Sequence, residues 1–102
     1  MDPRDEWRNP DTEALFEAVL TLEDTDEVAR FLRDLLTFNE LTELGQRWAI
    51  VRKLEEGVPY RQISDEIGVS TATITRVNQW RQHGLSGYRL VLDRLAERET
   101  TR

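Results

Sequence analysis

The chain of 102 residues contains no cysteine, which excludes a disulfide framework and a cysteine-based zinc site. We therefore expect a reducing compartment, the cytoplasm. The one histidine, His83, cannot form a histidine cluster, so we expect no metal and no other cofactor. No apolar run approaches the roughly 20 residues of a membrane span, and the first residues lack the apolar stretch of a signal peptide. We expect no membrane partner.

The sequence also lacks the patterns on which catalysis usually depends. It has no glycine-rich phosphate loop, no nucleophile with a neighbouring base, and no cluster of metal ligands. No segment alternates apolar and polar residues with the period of a strand. We therefore predict that the protein is not an enzyme.

The charged side chains are unevenly distributed along the chain, whose formal net charge is -6. Residues 1–46 hold 13 acidic side chains and 4 arginines, a net charge of -9, whereas residues 47–102 reach +3. An acidic first half can face away from DNA and limit non-specific binding, while the second half meets phosphates. The overall charge therefore does not exclude a nucleic-acid partner.

Apolar residues recur with helical spacing along nearly the whole chain, and we predict an all-α fold of six helices. The predicted organisation is a flexible N-terminus over residues 1–9, a single helical domain over 10–97, and a frayed tail over 98–102. The third helix is predicted over residues 38–56. Its predicted inward side chains are Leu41, Leu44, Trp48, Val51 and Leu54.

Several helix starts can be predicted from capping residues. Asn9 precedes Pro10, a residue that suits the first helical position. Asp24 or Thr25 can cap the second helix, and Ser86 can cap the last. In the third helix, Thr37 and the glutamate three positions later form a capping box.

The stretch "YRQISDEIGVSTATITRVNQW", residues 60–80, has the pattern of a helix-turn-helix, which we place at about 60–82. Ile63 and Ile67 lie on a first short helix, and Gly68 suits its left-handed end. Ile74 and Val77 face back from a second helix. We predict that the two helices pack through these four apolar side chains.

The opposite face of the second helix carries hydroxyl, amide and arginine side chains, which can bond base edges and phosphates. We expect Thr71, Ala72 and Thr75 to contact base edges, and Arg61, Gln62, Arg81 and Ser70 to contact phosphates. The full predicted DNA-binding set is Arg61, Gln62, Ser70, Thr71, Ala72, Thr73, Thr75, Arg76, Gln79 and Arg81. Two alternatives are an ordinary hairpin with a solvated face and an adaptor that binds a protein partner.

The segments "ELGQRWAIVRKLEEG" and "QISDEIGVSTATITRVN" resemble the tryptophan repressor family of bacterial transcription regulators, most closely its YerC/YecD-type branch. The resemblance covers about residues 37–95. It implies six helices per chain in a tryptophan-repressor-like fold and an intertwined homodimer. It also implies that two helix-turn-helix units bind half-sites of a palindrome in double-stranded DNA, about one turn apart.

The resemblance also bears on a corepressor. Arg47 and Arg76 match the two arginines that hold tryptophan in the repressor, but Val77 stands where the repressor has glycine. We therefore predict DNA binding without tryptophan; control by a different small ligand is the alternative. Arg47 could instead pair with Glu40 or Glu43 on its own helix, and Arg76 could contact phosphate alone.

The sequence gives less information about the roles of two tryptophans. Trp48 is predicted to lie in the core. Trp80 could belong to the core, contact the DNA backbone or fill the pocket, and the sequence does not rank these roles.

Overall fold

A computed structural model describes residues 6–100, which form six α-helices and no strands. This result confirms the predicted all-α, six-helix architecture. The helices are α1 (Pro10–Val19), α2 (Thr25–Leu35), α3 (Phe38–Glu55), α4 (Tyr60–Ile67), α5 (Thr71–His83) and α6 (Gly87–Thr100). Within residues 6–100, none of these helices has the length and apolarity required to cross a membrane.

The predicted caps of the first three helices begin them as expected. The Asn9 side chain accepts a hydrogen bond from the Thr12 amide at 3.0 Å, and Pro10 follows as the first helical residue. Asp24, not Thr25, caps α2. Thr37 and Glu40 exchange the two hydrogen bonds of a capping box, at 2.9 and 3.2 Å. The hydrogen bonds that Thr37 donates lower the pKa of the Glu40 carboxyl.

The chain divides into two compact units at the boundary between Leu41 and Thr42, inside α3. The predicted domain of residues 10–97 spans both units. Residues 1–5 of the predicted flexible N-terminus lie outside the described residues. Among residues 6–9, Trp7 packs edge-on against Phe16 at a centroid distance of 6.1 Å.

In the first unit, α1 and α2 contain no fully buried side chain. Large apolar side chains on these helices and at the start of α3 are instead exposed to solvent. They are Phe16, Val19, Leu20, Val28, Leu35 and Phe38. A helix with a wide apolar stripe needs another surface to bury it, and this unit alone does not supply that surface.

In the second unit, a continuous apolar core joins the C-terminal half of α3 to α4 and α5. Its buried members are Ile50, Val51, Leu54, Ile63, Ile74 and Val77. Trp48 and, from α6, Tyr88 and Leu92 pack against this core, which confirms the prediction for Trp48. The inward prediction for Leu44 is wrong. Leu44 is 42% exposed because the buried part of α3 begins only near Trp48.

The last helix begins directly after Ser86, whose carbonyl oxygen accepts a hydrogen bond from the Leu90 amide at 3.0 Å. The helix continues through residues 98–100, which belong to the tail that we predict to be frayed. The Thr100 hydroxyl donates to the Glu97 carbonyl at 3.0 Å. Residues 101–102 lie outside the described residues.

Gly68 ends α4 with a φ of 81°, in the left-handed region. We expect Gly68→Ala to lower the free energy of unfolding by about 1–2 kcal/mol, since this conformation strains any residue with a Cβ. Space is not the cause, because no atom lies within 4 Å of a Cβ built there. Gly68→Asn is the matched control and should lose less, because asparagine tolerates this region better. Chemical denaturation measures both, and an alanine variant as stable as the wild type would contradict the assignment.

Candidate nucleic-acid interface

The turn between α4 and α5 is held by local bonds and by the core beneath it. Gly68 reverses the chain, and the Ser64 hydroxyl donates to the Val69 carbonyl at 2.6 Å. Ile63 on α4 and Ile74 on α5 are both completely buried. The two helices are therefore fixed relative to each other, as the predicted helix-turn-helix requires.

The N-terminal end of α5 is capped and exposed. The Ser70 hydroxyl accepts a hydrogen bond from the Thr73 amide at 3.2 Å, and the Thr75 hydroxyl donates to the Thr71 carbonyl at 3.0 Å. Six of the predicted DNA-binding side chains on this helix and its cap are exposed. These are Ser70, Thr71, Ala72, Thr75, Arg76 and Gln79. The structure thus brings them together on the surface, while Thr73 is half-buried.

On α4, the two predicted phosphate-binding residues differ in their contacts. Arg61 is exposed, and among residues 6–100 no carboxylate pairs with it. The Gln62 amide nitrogen donates to Glu66 at 2.8 Å, and the same carboxylate forms an ion pair with Lys53 of α3 at 2.6 Å. The hydrogen bonds from Lys53 and then Gln62 lower the pKa of the Glu66 carboxyl. This bridge connects α4 to α3 beside the core.

Arg81 lies in a different environment from the one expected of a free phosphate contact. Its side chain is only 26% exposed, and its Nη1 lies 3.2 Å from Oε2 of Glu55 on α3. Its Nε donates to Oδ1 of Asn78 at 3.2 Å. The sequence did not indicate this partner, because the two residues are separated by 26 positions.

The predicted pocket residues do converge, on the side of α5 that faces α3. Arg47, Arg76 and Val77 line one cleft of about 110 Å³ together with Thr73 and Trp80. The guanidinium of Arg47 lies over the Trp80 ring, 5.6 Å from its centroid. Val77 is 1% exposed and also belongs to the core. Trp80 is 50% exposed and lies beside this pocket, outside the buried core.

A neighbouring cleft of about 240 Å³ shares Arg47, Thr73 and Arg76. Its remaining lining residues were absent from the predicted site. They are Glu43, Gln46, Ile50 and Val69. Glu43 and Ile50 lie four residues before and three residues after Arg47 on α3, and this spacing was the available signal for these two.

The two arginines of these clefts have no acidic partner in the part of the chain that the structure describes. Neither Glu40 nor Glu43 pairs with Arg47, so that alternative is not supported. Arg76 reaches only the Thr73 hydroxyl, at 3.4 Å. Two exposed cations therefore line the clefts beside α5.

The family follows from the sequence model of the Trp repressor protein, which matches residues 11–96. The chain belongs to the Trp repressor family. It is 43% identical to Uncharacterized protein YerC of Bacillus subtilis over 96 residues, which cover 94% of this chain and 92% of that protein. This similarity confirms the resemblance to the YerC-type branch.

Two further Trp repressor relatives agree with this assignment. A Trp operon repressor homolog of Chlamydia trachomatis serovar D is 39% identical over 69 residues, which cover 63% of this chain and 73% of that protein. The crystal structure of a TrpR like protein from Eubacterium eligens has a TM-score of 0.85 at 39% identity, covering 90% of this chain and 95% of that chain. The Trp-repressor-like fold is thereby confirmed, and the protein is a helix-turn-helix DNA-binding regulator.

Proposed function

We propose that the protein regulates transcription as a homodimer, reads a palindromic operator with α5, and binds it without tryptophan. The observation that carries this proposal is the exposed face of α5, which has no acidic residue between Ser70 and Arg81. A solvated helix face usually mixes glutamate with lysine. A face of hydroxyls, amides and arginine instead suits contact with bases and phosphates.

The buried side of α5 determines which residues face the DNA. Ile74 and Val77 are fixed in the core, so Thr71 and Thr75 point away from it and lie one turn apart. The small side chains at the start of the helix allow its backbone to come close to the major groove. Arg61 at the start of α4 is the best-placed phosphate contact, since it is exposed and lacks an acidic partner among residues 6–100.

We expect Thr75→Val to change base preference at one operator position by about 1–3 kcal/mol, because valine keeps the methyl groups but loses the hydroxyl. Thr75→Ser is the matched control, since it keeps the hydroxyl and loses a methyl. Competition between duplexes that differ at single base pairs measures the preference. A uniform loss of affinity for both Thr75 variants would contradict the assigned role.

The variant Arg61→Gln should weaken binding to all duplexes alike. It should also reduce by about one the slope of the logarithm of affinity against the logarithm of salt concentration.

Homodimer formation is proposed because the chain leaves large apolar side chains uncovered on several helices. Besides those of α1 and α2, Leu90, Val91 and Leu95 of α6 are each 40–50% exposed. Soluble monomers rarely expose many such residues together. A second copy that buries these stripes would complete the core that each chain lacks.

We expect a dimer at micromolar concentration, with more buried surface than the roughly 1,600 Å² of a standard interface. Static light scattering gives the mass directly. The variant Leu35→Glu places a charge on an apolar stripe and should produce monomers or unfolded chains. A wild-type chain that is folded and monomeric at micromolar concentration would contradict the proposal.

Independence from tryptophan is proposed from the pocket beside α5. The cleft that Val77 lines holds about 110 Å³, and the adjoining cleft, which shares Arg47 and Arg76, holds about 240 Å³. Each is below the roughly 300–1,000 Å³ of typical ligand pockets. Val77 forms one wall and is locked in the core, while the indole of Trp80 already lies against Arg47. An added indole would overpack this site, at a cost of roughly 1–3 kcal/mol.

We therefore expect no heat of binding when L-tryptophan is titrated into the protein at micromolar concentrations. DNA affinity should be the same with and without the amino acid. The variant Val77→Gly is the matched comparison, because it removes the wall, although it will also weaken the core. Measurable heat with the wild type, or DNA binding only in the presence of tryptophan, would show that Arg47 and Arg76 hold a corepressor.

A further inference from the structure

Two adjacent residues near the end of α5 hold α3 at separate points. Trp80 contacts Arg47 through its ring, and Arg81 forms an ion pair with Glu55. Side chains of adjacent helical residues diverge by about 100°. Their partners lie eight positions apart on α3, or roughly 12 Å along the helix axis. The end of α5 therefore cannot turn about its axis or slide along α3 without breaking one contact.

Glu55 connects three helices through one carboxylate. Its Oε2 accepts from Arg81 at 3.2 Å, and its Oε1 pairs with Nη1 of Arg89 on α6 at 2.8 Å. Arg89 also pairs with Asp93 at 2.9 Å, and the bond to Glu55 is the main cause of its raised pKa. One carboxylate of α3 thus bonds arginines of both α5 and α6.

Two further residues at the end of α5 support these contacts. Asn78 accepts from Nε of Arg81 at 3.2 Å and so orients the guanidinium. Gly84 donates its amide to the Trp80 carbonyl at 2.9 Å, and a Cβ at Gly84 would collide with that carbonyl. Glycine therefore allows the chain to leave the helix immediately after the contacting residues.

We propose that Trp80 and Arg81 are positioning residues that fix the orientation of α5, not residues that contact DNA. We call the set Arg47, Glu55, Trp80, Arg81 and Arg89 the α5 clamp. It holds the far end of α5, while the core holds its middle, so the exposed face keeps one orientation with no ligand bound. The inference rests on the proposed function, since the oriented face is the one that reads DNA.

Two roles are possible for Arg81, and they predict opposite effects of Glu55→Gln on DNA affinity. If Arg81 contacts phosphate, Glu55 competes with DNA, and removing its charge strengthens binding. If the clamp positions α5, the same change weakens binding although the protein becomes less negative.

The test compares Glu55→Gln, Arg81→Gln and the double variant, with DNA affinity measured over a range of salt concentrations. Each single variant should bind about two- to fivefold more weakly, the range for a partly exposed ion pair. The double variant should resemble the single ones, because both changes break the same contact. The salt slope should remain that of the wild type. A lower slope for Arg81→Gln, tighter binding by Glu55→Gln, or wild-type affinity for both would overturn the clamp.

The second contact is tested with Trp80→Ala and Trp80→Phe, each alone and combined with Arg47→Gln. The alanine variant should bind about two- to fivefold more weakly, as expected for an exposed cation–π pair. Phenylalanine keeps a ring and should restore most of the affinity. If Trp80→Ala weakens binding equally in the presence and absence of the Arg47 side chain, the two residues do not act together and the clamp is wrong.

Failure of the clamp can be separated from failure of the proposed function by hydrogen exchange without DNA. In Glu55→Gln, the amides of residues 78–84 should exchange faster than in the wild type, while those of residues 60–67 should not change. Wild-type protein that binds no DNA but shows this pattern would contradict the proposed function and retain the clamp. Wild-type protein that binds DNA, with hydrogen exchange unchanged in every variant, would contradict the clamp and retain the proposed function.

Discussion

The structure of the second unit depends on the burial of α4 and α5 against one stretch of α3. Ile50 and Val51 form the base, and Ile63, Ile74 and Val77 close over them with almost no exposure. Once these side chains are fixed, helical geometry decides what remains outside. The exposed row from Thr71 to Gln79 is a consequence of that packing, and so is the pocket wall formed by Val77.

Two acidic side chains of this unit near α5 are already paired. Glu55 binds Arg81 and Arg89, and Glu66 binds Lys53. These pairs are partly exposed and contribute little each to stability. Their greater effect is to orient side chains, while within residues 6–100 Arg47, Arg61 and Arg76 remain at the surface without acidic partners. Exposed arginines therefore lie on or beside α4 and α5 although the chain's net charge is -6.

The sequence predicts well what is decided locally. Capping by Asn9 or Thr37, and the left-handed turn at Gly68, depend on residues a few positions apart, and the structure agrees at each. The buried pair Ile74 and Val77 follows from helical spacing in the same way. The outward face of α5 can therefore be predicted from the sequence.

Other features depend on how the helices pack against each other, and the spacing of residues along the sequence gives no signal for them. Arg81 is predicted to contact phosphate because the flanks of a DNA-binding helix lie beside the DNA backbone. In the structure Glu55 pairs with it from another helix. The position of Trp80 over Arg47 needs the crossing of α5 and α3. Leu44 fits the apolar stripe of α3 but lies beyond the part that its own chain covers.

The central claim is that α5 reads a specific DNA sequence with no ligand in place. Selection of bound fragments from random duplex DNA, using purified protein freed of tryptophan, tests it most directly. The account predicts enrichment of one palindrome whose half-sites lie about one helical turn apart. Recovery of unrelated fragments only, or of a palindrome only after tryptophan is added, would contradict it.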